Sequence, residues 1–107
     1  MNQNSPPAHP ATTPDAPLLC AANTNTGKLA GAIANALRTY GHAALRVVGA
    51  SAINQAIKAS AKANFFLSQD GQGLVMWPEF VEVTLYGEAR TAILFHYRIT
   101  EGVQHEA

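Results

Sequence analysis

Cysteine is almost missing from this chain: Cys20 is the single one among 107 residues. No intramolecular disulfide can form, which suits a reducing compartment. Charge is sparse as well. Asp, Glu, Lys and Arg make up 13% of the residues and the formal net charge is zero. That balance alone argues against a protein that binds a polyanion. Long apolar runs are absent, and nothing approaches the ~20 residues a membrane-spanning helix needs. The first residues hold neither a basic n-region nor an apolar h-region, so no signal peptide is expected and the cytoplasm is the expected location.

Signatures of catalysis are equally scarce. Gly27-Lys28 lacks the upstream glycine and the following Ser or Thr of a phosphate-binding loop. His9, His42, His96 and His105 share no metal-ligand spacing. His9 and His105 fall in expected tails, and His96 alternates with Leu94 and Arg98 as a sheet-face residue would. Cys20 alternates with Leu18 and Ala22 and reads as a buried small hydrophobe, with no base paired to it by a local signature. Trp77 could stack on a base, but its neighbour Pro78 favours a packing role. Neither an enzyme nor a cofactor, metal, membrane or small-molecule substrate is expected.

What is present is unevenly spread. Residues 16–69 hold Lys28, Arg38, Arg46, Lys58 and Lys62 and no acid. Residues 70–107 hold Asp70, Glu79, Glu82, Glu88, Glu101 and Glu106 against Arg90 and Arg98. Asymmetry of this kind points to a charged partner unless the halves interleave in space.

Residues 1–16 read as a disordered tail, broken by Pro6, Pro7, Pro10 and Pro14. Residues 17–100 form one domain, and residues 101–107 a loose end. The expected first strand covers residues 17–22. The loop 23–27 leads into a helix over 28–40, with Leu29, Ile33, Ala36, Leu37 and Tyr40 buried and Gly41 as its stop. A second strand covers 42–48. A second helix follows, with Ser51 as N-cap, ending near residues 64–67. After the loop 68–73 a third strand begins at 74–77, is interrupted or placed at an edge by Pro78, and resumes over 80–86. Residues 87–89 turn the chain into a fourth strand over 90–99. The order β-α-β-α-β-β predicts an α/β two-layer sandwich, a four-stranded mixed sheet with two helices on one face.

The second helix is the most informative segment. At about 100° per residue, Ser51, Gln55, Lys58 and Lys62 share a polar stripe without a carboxylate. Ile53 and Ile57 are expected to face a core. Ala52, Ala56, Ala59 and Ala63 form a third, smooth face suited to close packing. With Gly27 and Gly31 on the first helix, that face suits either the domain's own packing or a dimer seam. Lys28, Lys58 and Lys62, with Ser51 and Gln55 beside them, suit phosphate contacts made through point charge and counterion release. Gly49 leaves N–H groups free at the helix start for an anion. A merely solvated lysine face is the competing reading.

Three blocks then carry a resemblance. Residues 28–38 (KLAGAIANALR) look like the first helix of the stage V sporulation protein S family. Residues 48–59 (VGASAINQAIKA) are similar to that family's most distinctive segment, and residues 87–93 (GEARTAI) to its closing hairpin. The match covers roughly residues 18–99. It implies an Alba-like fold, a homodimer, a bacterial developmental or regulatory setting, and DNA or RNA binding through the start of helix 1, helix 2 and the hairpin. Asn23 stands where the family usually carries lysine, and Glu88 sits beside Arg90 at the hairpin.

The expected interface is therefore Lys28, Lys58 and Lys62 on phosphate, with Ser51, Gln55 and Asn25 orienting the backbone and Arg90 and Arg98 as lesser contributors. Binding is expected to be weak, salt-sensitive and sequence-tolerant. The alternative is a protein–protein or self-assembly module that does not bind nucleic acid, which the zero net charge and Glu88 favour.

Overall fold

The computed structural model describes residues 12–14 and 16–101. The tail expected over residues 1–11 and at residue 15, the end over 102–107, and His9 and His105 lie outside the described residues. The elements are β1 (Thr12–Thr13), β2 (Ala16–Cys20), α1 (Thr26–Tyr40), β3 (His42–Val47), α2 (Ala50–Ser68), β4 (Gln72–Leu85) and β5 (Glu88–Glu101). Apart from β1, the order is the predicted β-α-β-α-β-β. Strands β2, β3, β5 and β4 lie side by side in that spatial order. β2 and β3 are parallel and the other pairs antiparallel, so the sheet is mixed. The short β1 adds antiparallel to the outer edge of β2, within the segment expected to be a tail.

Side-chain parity decides which face of the sheet meets the helices. Leu18 and Cys20 of β2, Leu45 and Val47 of β3, and Phe95 and Tyr97 of β5 all pack in one core with Leu29, Ile33 and Leu37 of α1. Residues opposite one another in register share a face. The alternate set, including Arg46, Leu94, His96 and Arg98, therefore lies on the outer face, away from the helices. Both helices sit on the inner face, giving the two-layer Alba-like sandwich.

Each helix end follows from a local residue. Asn25 caps α1, its Oδ1 accepting the Lys28 N–H at 2.9 Å. This starts the helix at Thr26, two residues earlier than expected. At the far end the Gly41 N–H closes onto the Leu37 carbonyl at 2.9 Å. Ser51 is not the cap of α2. Gly49 takes that place with φ 94° and ψ 152°, and no side chain caps the helix. An L residue rarely adopts that φ, so backbone conformation rather than space selects glycine here. Ser51 lies inside the first turn and is exposed.

The inward face of α2 is its alanine face. Ala52, Ala56, Ala59 and Ala63 are at most 2% exposed, while Ile57 is 47% exposed. The expectation that both isoleucines face the core fails at Ile57; Ile53 packs at the core's margin. The cause is proximity: α1 and α2 lie against each other and the sheet, where only small side chains fit. Ser60 joins this face, and the Tyr97 hydroxyl lies 2.7 Å from its Oγ. Ser60 donates its proton to the Ala56 carbonyl at 2.7 Å, so Tyr97 is the donor to Ser60. Burial drives the Tyr97 phenol from an ordinary 10.0 up to about 12, the Ser60 hydrogen bond opposing.

Pro78 does not interrupt β4. The strand continues unbroken because it is the sheet edge, where a missing N–H can face outward. The turn into β5 is Tyr86–Gly87, not residues 87–89. Tyr86 and Gly87 have φ of 52° and 80°, the two positive values a tight two-residue hairpin requires. Register with β3 ends at Ile93, so the tip of the β4–β5 hairpin projects as an arm. Phe80, opposite Ile93 at the root of this arm, is 78% exposed.

Candidate nucleic-acid interface

The loop before α1 and the polar stripe of α2 meet through side-chain bonds. The Thr24 hydroxyl accepts the Ala21 N–H at 2.8 Å and stiffens the loop. Gln55 Nε2 donates to the Thr24 carbonyl at 2.9 Å. Lys62 Nζ donates to Thr26 Oγ1 at 3.1 Å. These bonds tie α2 to the first turn of α1, where Asn25 and Lys28 sit. Lys58 lies one turn before Lys62 on the same stripe and is exposed, as are Lys28 and Ser51. The helix starts add no acid: neither first turn contains one. Orphan N–H groups at those ends add positive potential.

Six of the eight expected residues, Asn25, Lys28, Ser51, Gln55, Lys58 and Lys62, thus lie on the two elements these bonds join, the start of α1 and the polar stripe of α2. Gln55 has only part of its amide left for a ligand, since its Nε2 already holds the loop. Arg90 and Arg98 do not join them. Both lie on β5 with outer-face parity, Arg98 opposite His42 and Val75, Arg90 opposite Val83. Arg38, at the other end of α1, is committed to Asp70 at 3.2 Å and to the Phe66 carbonyl at 3.1 Å. That ion pair joins the basic and acidic halves of the sequence, yet leaves the lysine edge untouched.

The outer face holds groups that sequence spacing did not bring together. Trp77 is 43% exposed and stacks on His96, ring centroids 5.2 Å apart and planes within 10°. Trp77 is thus not the packed side chain expected from Pro78. His96 is a sheet-face residue as expected, its Nε2 2.7 Å from Glu79 Oε1. Alternation along β5 could place His96 and Arg98 on one face; joining them to Trp77 needed the β4–β5 register.

Cys20 is buried, with its thiol 3.5 Å from the Ala52 carbonyl. Burial pushes its pKa up, partly countered by Thr24, which disfavours the nucleophilic thiolate. Among the described residues no three His, Cys, Asp or Glu side chains cluster as metal ligands. No helix of the described residues is long and apolar enough to cross a membrane.

Sheet order, two helices on one face and a projecting hairpin define an Alba-like α/β module. Residues 17–100 match the family Stage V sporulation protein S (SpoVS), and the chain belongs to that family. Membership supports a sporulation-related role.

Proposed function

We propose that this SpoVS-family domain is a bacterial, cytoplasmic protein that binds the phosphate backbone of DNA or RNA with little sequence preference, and does so as a homodimer. The observation that carries the reading is the bond from Lys62 to Thr26, which sets the lysine stripe of α2 against the first turn of α1, near Lys28 in sequence, within a segment free of acids from residue 16 to residue 69. Lysine suits this task as a mobile point charge, and released counterions drive the association. No base edge is read in this arrangement, so sequence tolerance follows. Three lysines bind weakly; a second subunit doubles them.

The alanine face of α2 is buried in the chain's own core and is excluded as a dimer seam. Support for self-association comes from the arm and the β4 edge, where Phe80 and Trp77 are exposed. The same exposure favours a second reading, a self-assembly or protein–protein module without nucleic acid. Fluorescence anisotropy with duplex DNA and structured RNA at ~50 mM salt tests the first reading. Saturable binding that weakens steeply with salt supports it; no binding to either probe overturns it. Sedimentation at high concentration tests the dimer, which a monomer mass would refute.

A further inference from the structure

Across β3, β5 and β4 the outer face forms a grid. One row sets Ala44, His96 and Trp77 side by side. The row on one side is His42, Arg98 and Val75; the row on the other is Arg46, Leu94 and Glu79. The Trp77 indole has one face covered by His96, while the side chain remains 43% exposed. His96 is held in turn by Glu79. The indole is therefore backed and oriented, with part of its surface open to solvent. Beside it opens a cavity of about 150 Å³ lined by Pro14, His42, Trp77, His96 and Arg98 among others. Among the described residues, Arg46, Arg90 and Arg98 make no ion pair. Among the described residues, the acids on this face are Glu79, engaged by His96, and Glu88 near the tip of the arm.

An aromatic ring flanked by arginines that make no ion pair among the described residues is the composition of a single-strand platform. Every base offers a π-face, and guanidinium groups fork onto phosphate. Duplex nucleic acid keeps its bases stacked inside and gains nothing from such a ring.

We propose that the outer face of the sheet binds single-stranded nucleic acid, a base stacking on the exposed surface of Trp77 while Arg98 and Arg46 hold the adjoining phosphates. This site lies on the opposite side of the domain from the lysine edge and does not depend on it.

Trp77 is the only tryptophan, so its fluorescence reports the contact directly. The full chain is titrated with oligo-dT and with oligo-U of about 12 nucleotides, within the span of known single-strand sites. Saturable quenching is expected, the two arms separating DNA from RNA preference. By anisotropy, Trp77→Ala weakens oligonucleotide binding at least about fivefold, and Arg98→Glu weakens it about tenfold. Unquenched Trp77 at saturating oligonucleotide overturns the proposal, as do equal affinities for the wild type and both variants. Equal quenching by poly-glutamate also overturns it and assigns the face to an acidic protein. If Trp77→Ala fails to fold, the wild-type quench and Arg98→Glu decide. The variant Lys58→Glu with Lys62→Glu keeps the quench. In the wild type, absence of duplex binding with the quench intact defeats the lysine-edge reading; absence of the quench with duplex binding intact defeats this one.

Discussion

The two exposed sides of the domain carry positive charge in different ways. On the helical side the cations are lysines in an acid-free stretch, tethered by Gln55 to the loop before α1 and by Lys62 to its first turn. On the outer sheet face they are arginines interleaved with Glu79 and Glu88 and arranged around a stacked aromatic pair. Net charge merges these sides into zero and hides both. Lysines on a helix offer mobile charge to a phosphate track of any sequence. Arginines around a ring offer planar surfaces to unstacked bases. The difference teaches that a net charge of zero does not fix where the cations lie: six of the seven acids follow residue 69, outside the stretch that holds every lysine.

The strongest way to break the comparison is to reverse Lys58 and Lys62 together. Lys58→Glu with Lys62→Glu is expected to weaken duplex binding about 100-fold at low salt, through lost counterion release and new repulsion. Far-UV circular dichroism should remain unchanged, because Lys58 is exposed and Lys62 contributes only the bond to Thr26.

The next effect concerns the core between the two faces. Tyr97 is neutral in the fold, with its pKa raised to about 12 by burial. A group raised in the folded state stabilises the fold below its unfolded value and loses that contribution as pH rises through the folded one. About 2–3 kcal/mol of stability should therefore disappear between roughly pH 10 and pH 12. Urea unfolding across that range measures it. Tyr97→Phe should flatten that part of the curve while lowering stability at neutral pH by about 1 kcal/mol, the worth of its hydrogen bond.

Trp77→Ala sharpens the contrast from the other side. It should lower single-strand affinity at least about fivefold while leaving duplex affinity unchanged. Smallest is Asn25→Ala, which removes the α1 cap and should cost about 1 kcal/mol in thermal or urea unfolding. Duplex affinity should fall only modestly, since Lys28 loses a firm first turn but keeps its charge.

Much of the fold was readable because the elements are strongly patterned. Apolar spacing on α1 identified its buried face, and strict alternation on β5 separated Phe95 and Tyr97 from His96 and Arg98 before any register was known. The errors cluster where tertiary proximity overrules pattern. Ile57 fits a hydrophobic stripe by angle, yet the close approach of α1 and α2 admits alanine and expels the larger residue. Ser51 is a good N-cap by propensity, but the chain enters α2 with a φ that glycine holds. Pro78 breaks a central strand and is harmless at an edge, and only the strand order decides which applies. Asn25, Lys28 and the α2 stripe could be read from sequence as one proposed interface, because helix spacing and the resemblance point to the same residues. The grid of Arg46, Arg98, His96 and Trp77 was not, because it combines three strands whose pairing no local spacing encodes.

Pro78 has one more consequence. β4 is a long strand of 14 residues at the sheet edge, and a free edge invites another strand to add. Since the ladder with β5 is unbroken, the proline ring occupies an outward position and deletes one of the donors an incoming strand would use. Any added strand must end there or bulge over it. The edge is divided into two short templates, one on each side of residue 78, neither of which supports the long, continuous pairing from which fibrils grow. A single imino acid thus shortens the pairing this edge can offer, and on one side of it Asn64 already takes the Leu74 N–H.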